Sequence, residues 1–334
     1  MATIPTLGLN SSVGLLDLST GLLQKIYAYC TTHSILAIRQ CQKLLYCASD
    51  SFIVWHNRHV KISNSIQLIN VLRLHLTPPK YISFINSIDI SFDKLKSDDI
   101  QLYTTAIEQL FTQIRNITKL SVQIKLTDTM IVYMIQNNVH HSLVELSLLQ
   151  KQSISYQYLS NFTVLKALRC YDNIKSLIQY IPKSVAVLNV DVHSGDRDSY
   201  EQLTSLQHLD KLYVTIELSD RNQSVADIRA LVLYMLCNTT ASCIAFYNYK
   251  DAKHSVTIDN DVKFSSTIKS LILRGSSFVI NPYVRLPKSM CTLNLNRVRY
   301  EATSNKGSPY ISDRAQDLQQ FMDINSHCDI KVFY

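Results

Sequence analysis

The side chains able to do chemistry in this chain are scattered. Eight cysteines stand at positions 30, 41, 47, 170, 237, 243, 291 and 328, and no two are spaced as Cys-x-x-Cys. A structural zinc site needs paired ligands at short spacing, and a disulfide framework belongs to oxidising compartments. The pattern therefore reads as free thiols in a reducing compartment. His140-His141 has no further ligand at a metal spacing and reads as a polar loop. Asp98-Asp99 opens an apolar helical run, which makes it a helix start and not a carboxylate dyad; His327-Cys328 falls at a terminal strand. No Gly-x-Ser-x-Gly, His-Glu-x-x-His, P-loop or Gly-x-Gly-x-x-Gly run occurs. The expectation is a protein that binds and does not catalyse, with no cofactor and no metal.

The totals agree with that reading. Of 334 residues, 46% are hydrophobic and 18% charged, so the chain can bury a core. Only 6 glycines are present, too few for an architecture of phosphate loops and tight turns. The net charge of +7 permits an acidic partner, but no run of five basic residues points to nucleic acid. No apolar run reaches the length of a membrane span, and the start "MATIPTLGLNSSVGLLDLS" lacks a basic leader. The expected address is cytoplasm or nucleus, without membrane contact.

What positions the polar residues is a repeat. The pattern apolar-x-x-apolar-x-apolar begins at Ile85, Ile117, Leu143, Leu165, Val185, Leu209, Ile268 and Met290. A weaker copy starts at Ala241 and a possible last one at His327. The intervals are 32, 26, 22, 20, 24, 32, 27, 22 and 37 residues, centred on the period of leucine-rich repeats. In such a unit the last two apolar positions alternate along a short strand and point inward, while the first packs beneath them. Two copies nearly coincide, "IPKSVAVLNV" at 181–190 and "LPKSMCTLNL" at 286–295. The long intervals predict amphipathic helices, in "SDDIQLYTTAIEQLFTQI" behind Asp98 and in "SVADIRALVLYMLC". Intervals of 20–22 residues leave room for a loop or one helical turn. The fold expected is an irregular, curved α/β solenoid with a parallel sheet.

Residues 15–60 do not follow the repeat. Leu22, Leu23, Ile26, Tyr29 and Cys30 form one helical face, Ile35, Leu36, Ile38, Cys41, Leu44 and Leu45 a second, and Phe52 with Trp55 a third short element. Three helices this short have too small a core to hide their own apolar surface.

Here the chain resembles a known family. The stretch from Leu18 to Trp55 is similar to an F-box, the helical motif that docks on a Skp-type adaptor in cullin–RING ubiquitin ligases. Leu22-Leu23, Ile26-Tyr27, Ile35-Leu36, Ala48-Ser49-Asp50 and Val54-Trp55 stand at the family's positions, without net insertion. Ser19, Gly21 and Leu45 replace the family's proline, glutamate and tryptophan. F-box plus leucine-rich repeats is a family architecture. The resemblance implies a substrate-recognition subunit of a Skp–cullin–F-box ligase, bound through the adaptor to a cullin and to a protein target. It divides the chain into a leader (1–14), an F-box-like three-helix module (15–60), a linker helix (61–80) and a leucine-rich-repeat domain (81–334). A cap for the end of the solenoid is the structural alternative for the helical module.

The adaptor face is then expected to carry Leu18, Leu22, Leu23, Ile26, Ile35, Leu36, Leu45 and Trp55. The target is expected on the concave face of the sheet. Strand alternation turns Arg169, Tyr171, Asp191, Tyr213, Tyr247, Arg274, Asn294 and Asn296 outward there. The rival expectation is a scaffold of the same two modules in a multiprotein assembly, such as a kinetochore-type DNA-binding complex, without ubiquitination. The polar stretch at 302–317, with Ser308-Pro309, reads as an insertion.

Overall fold

The structure is a computed structural model that describes residues 18–39, 41, 49, 54, 58–73, 85–92, 100–150, 154–171, 174–193, 197–217, 225–247, 256–275, 278–300 and 314–333. All ten copies of the apolar motif land on strands of one sheet. In chain order these are β2 (Ile85–Ile90), β3 (Lys119–Val122), β4 (Glu145–Leu148), β5 (Ala167–Cys170), β6 (Val187–His193), β7 (Lys211–Glu217), β8 (Cys243–Tyr247), β10 (Ser270–Arg274), β12 (Thr292–Asn296) and β14 (Asp329–Phe333). A further strand, β1 (Arg58–Ile62), precedes them, and the eleven pair in parallel, each with the next in this order. Three short strands, β9 (Val256–Ile258), β11 (Phe278–Ile280) and β13 (Arg299–Tyr300), form a second parallel sheet.

Register explains why the motif repeats. Ile88, Leu120, Leu146, Leu168, Leu188, Leu212, Ile244, Leu271, Leu293 and Ile330 fall on one row across the sheet. All but the last are at most 2% exposed. The motif's final positions form the next inward row, and a buried Leu, Ile or Val contributes about 2 kcal/mol of transfer free energy. At β14 the row runs out, and Ile330 and Val332 are only half-buried.

The spacing between units is set by main-chain atoms. The carbonyl of Thr118 accepts two successive amides of the following unit, those of Val144 (2.8 Å) and Glu145 (2.9 Å). The same fork recurs at the carbonyls of Val144, Lys166, Ala186, Ser242 and Lys269. In the two near-identical copies, Val185 N–H donates to the Pro182 carbonyl (3.0 Å) and Met290 N–H to that of Pro287 (2.9 Å), so Pro-Lys-Ser makes the same turn twice.

The helices expected in the long intervals form. Here α1 is Thr20–Tyr29, α2 Thr32–Arg39, α3 Ser65–Arg73, α4 Ile100–Phe111, α5 Asp128–Gln136, α6 Ile174–Leu177, α7 Arg197–Thr204, α8 Val225–Asn238 and α9 Arg314–Ile324. Ile107, Leu110 and Phe111 of α4, and Ile228, Leu231, Val232 and Met235 of α8, are buried at their helical spacing. The 20- and 22-residue intervals before β6 and β5 hold short helical segments, somewhat longer than the single turn expected: α6 continued by Ile178–Tyr180, and Tyr156–Asn161.

Two expectations change. The sheet begins inside the segment read as a helical module, and the stretch read as a linker carries the rest of β1 and then α3, which packs on it. The start of β1 is tied to the first two helices. The Arg58 guanidinium donates to the carbonyls of Tyr27, Cys30 and Val54, and Thr32 Oγ1 donates to the His59 carbonyl (3.1 Å). Two of the three expected N-terminal helices fall among the described residues. The other change is the second sheet. After β8, β10 and β12 the chain turns into a strand where loops or helices were expected. Gly275 (φ 132°) and Arg297 (φ 56°) stand at equivalent positions of this turn, and their amides donate to the carbonyls of Asn296 (3.0 Å) and Phe333 (2.8 Å). A positive φ suits glycine and strains arginine.

Buried Asn325 holds the last crossover in place. Its Oδ1 accepts from Leu286 N–H (2.8 Å), and its Nδ2 donates to the carbonyls of Val284 and Phe321 (both 2.9 Å).

Candidate functional site

Two surfaces carry the expected site residues. On α1, Ser19 caps the helix by accepting from Leu22 N–H (3.4 Å), which is what a serine does where a proline would only fix φ. Thr31 does the same for α2, accepting from Ser34 N–H (3.1 Å). Leu23 and Tyr27 are 0% exposed, on the edge of α1 that packs into the chain. The opposite edge carries Leu22 (45% exposed), half-buried Ile26 and Tyr29 (93% exposed) at helical spacing. Ile35 is also 0% exposed.

The expected adaptor face therefore divides. Leu23 and Ile35 are core residues of this chain, because each lies on the side of its helix that meets the rest of the fold. Leu22 and Ile26, with half-buried Leu18, remain at the surface. The side chain of Leu36, and Leu45 and Trp55 altogether, lie outside the described residues. Gly21 has open space where a Cβ would stand, so packing does not require glycine there.

The second surface is the side of the sheet that the apolar rows turn away from. Strand pairing arranges its side chains in rows of their own. One runs Lys61, Asp89, Ser121, Ser147, Arg169, Asn189, Tyr213, Ala245, Ile272, Asn294 and Lys331. Two residues further along the strands, Asp191, Thr215, Tyr247, Arg274, Asn296 and Phe333 form another.

Two residues back along the strands a third row on the same face pairs across its first strands. His59 Nδ1 lies 2.8 Å from Ser87 Oγ, and Lys119 Nζ lies 2.7 Å from Glu145 Oε1. In the middle, Arg169 Nη2 donates to the Tyr171 hydroxyl and the guanidinium sits 4.9 Å from the ring centroid. Tyr213 and Tyr247 follow, with ring centroids 6.3 Å apart. Burial, then Cys243 and Asp210, hold the Tyr213 hydroxyl above its ordinary pKa, so it stays a donor at neutral pH. Asp191 departs from expectation: it is 7% exposed, as is neighbouring Thr215, so it lies under this surface and is not offered to a partner.

Over the last strands the face opens into a hollow of about 380 Å³, lined by Tyr247, Ile272, Arg274, Asn294, Asn296, Lys331 and Phe333. Four of these were expected site residues, and the structure brings them together. Ile272, Lys331 and Phe333 were missed, as was Asn189 on the same face. The duplicated copy signals Asn189, since "VLNV" and "TLNL" place Asn189 and Asn294 at one position.

The remaining polar candidates do not assemble. His140 stacks on His141 (ring centroids 3.8 Å), with its pKa lowered first by burial and then by His141. Burial, helped by Asp329 and Cys291, pushes the Cys328 thiol up to about 11, which makes it a poor nucleophile at neutral pH. Among the described residues no group of three or more His, Cys, Asp or Glu side chains is placed to hold a metal ion, and no helix is long and apolar enough to cross a membrane. No family model matches the chain, and no curated protein matches its sequence.

Proposed function

We propose that this chain is the substrate-recognition subunit of a Skp–cullin–F-box ubiquitin ligase, working in the cytoplasm or nucleus. Its N-terminal helices dock on a Skp-type adaptor, which brings the cullin. The following units form a leucine-rich-repeat solenoid whose open sheet face holds a target protein. The chain performs no bond chemistry; it raises the effective concentration of the target beside the conjugating enzyme and fixes its orientation.

The observation that carries this reading is the divided character of α1. One edge is locked into the fold through Leu23 and Tyr27, while Leu22 and Tyr29 on the other edge stay in water. Large apolar side chains held out on an anchored helix are what an interface core uses. Sequential units with a face of tyrosine, arginine and asparagine supply the receptor half.

Co-expression with a Skp-type adaptor and a cullin tests it. Wild type should retain the adaptor through purification, and Leu22→Asp should retain it about tenfold less, with an unchanged urea midpoint because Leu22 is exposed. Trp55→Ala should act in the same direction. Adaptor retained equally by both variants, or absent from wild type, removes the ligase reading. Adaptor recovered without cullin leaves a scaffold.

A further inference from the structure

We infer that the hollow over β8, β10, β12 and β14 is a subsite for one carboxylate side chain, so that the target segment is an acidic residue beside an apolar one. This deepens the receptor reading and rests on it.

Donors that are not used elsewhere are concentrated here. The exposed Arg274 guanidinium and the side-chain amides of Asn294 and Asn296 make no hydrogen bond or ion pair among the described residues. Among the described residues Lys331 pairs only with Asp329 (3.2 Å), in a contact more than half exposed on both sides. Such a pair is worth under about 1 kcal/mol and exchanges readily for a better acceptor. Asp329 lies two residues back along β14, outside the lining, and no carboxylate is among the described residues that line the hollow.

Arginine's planar fork matches a carboxylate with two parallel hydrogen bonds. Register puts Arg274 directly beside Asn296, and Asn294 beside Lys331, so one oxyanion can be met from both rows. The rest of the lining is apolar. Ile272 stands two residues before Arg274 on β10, with Asn294 between it and Lys331. Tyr247 and Phe333, the latter 51% exposed, stand at the two ends of the part of the outer row that lines the hollow. Neighbouring strands are about 4.8 Å apart and alternate residues about 6.8 Å. The footprint therefore takes one short acidic side chain and one aliphatic or aromatic neighbour. A nucleic-acid backbone would need a longer run of cations than these two.

Selection of short random peptides on the immobilised full-length chain tests this, run in parallel on the Arg274→Glu/Lys331→Glu variant and on Tyr213→Ala. Wild type should enrich peptides with Asp or Glu next to an aromatic or aliphatic residue. Their affinity should fall roughly tenfold or more on the charge-reversed protein. Both substituted cations are exposed, so an unchanged urea midpoint establishes folding. A wild-type selection without acidic residues, or an acidic preference that survives the reversal, overturns the subsite. So does displacement of selected peptides by single-stranded DNA at lower concentration than by free peptide. Peptides lost on Tyr213→Ala but untouched by the reversal leave the receptor face standing and remove the subsite alone. No enrichment on wild type removes both.

Discussion

The two ends of the large sheet are built on the same strands and finished differently. From β2 to β7 the chain returns between strands through helices or short helical segments, whereas after β8, β10 and β12 it first enters β9, β11 and β13. Only the last of these crossovers, through α9, also holds a helix among the described residues. The open face differs in step. Towards the start, His59–Ser87 and Lys119–Glu145 satisfy each other; towards the end Thr292 and Ser270 do the same in that row, while in the rows beyond it Arg274, Asn294 and Asn296 have no partner among the described residues. The lesson is that the inward rows fix the architecture alone. The return path and the outward rows are then free to specialise, and here both change over the same units.

The sharpest way to break this comparison is to ask whether the second sheet is core or decoration. Phe278 on β11 is 0% exposed. If the strand-bridged units have a core of their own, Phe278→Ala should cost about 4 kcal/mol in urea unfolding, as large as a truncation beneath the main sheet. A cost under about 1 kcal/mol would make β9, β11 and β13 peripheral.

A smaller effect, of opposite sign, is expected at the turn into that sheet. Arg297 holds φ 56° where the preceding unit has Gly275. Arg297→Gly should stabilise the protein by about 1 kcal/mol, the relief of a left-handed non-glycine residue. Destabilisation would mean that the side chain contributes more than its backbone strain costs.

The smallest effect distinguishes the halves by pH. His140 and His208 lie among the helix-bridged units, and burial lowers both pKa values, with His141 and Lys183 respectively adding to the effect. The unfolded chain, with imidazoles near about 6.5, takes up these protons first. Stability from keeping the two rings neutral is intact above that value and is lost as pH falls through the lower folded values. The urea midpoint should drop between neutral pH and pH of about 5.5. In His140→Gln/His208→Gln it should drop less, and an equal drop would assign the loss to carboxylates.

Much of this was legible in the sequence because the signal repeats. A lone apolar triplet is weak, but ten in order located every strand of the large sheet except β1. That strand escaped because the motif's first position there is Asn57, which leaves Val60 and Ile62 as its only apolar marks. The second sheet escaped because three-residue strands such as Phe278–Ile280 are too short to show a period. Alternation found Tyr247, Arg274, Asn294 and Asn296, and lost Lys331 and Phe333 with the faint copy at His327. Helical periodicity could not say which edge of α1 faces inward, since Leu22 and Leu23 are equally apolar; only packing against the rest of the fold separates them.

The carbonyl forks between units bear on how such a chain changes over generations. They are amide-to-carbonyl bonds, indifferent to what the side chains are, so the pitch from one layer to the next survives almost any substitution that keeps three greasy positions greasy. Lineages built this way can drift until little of their wording is shared while the scaffold holds its dimensions. A whole unit gained or lost before β8 would move the hollow along the sheet without changing its lining.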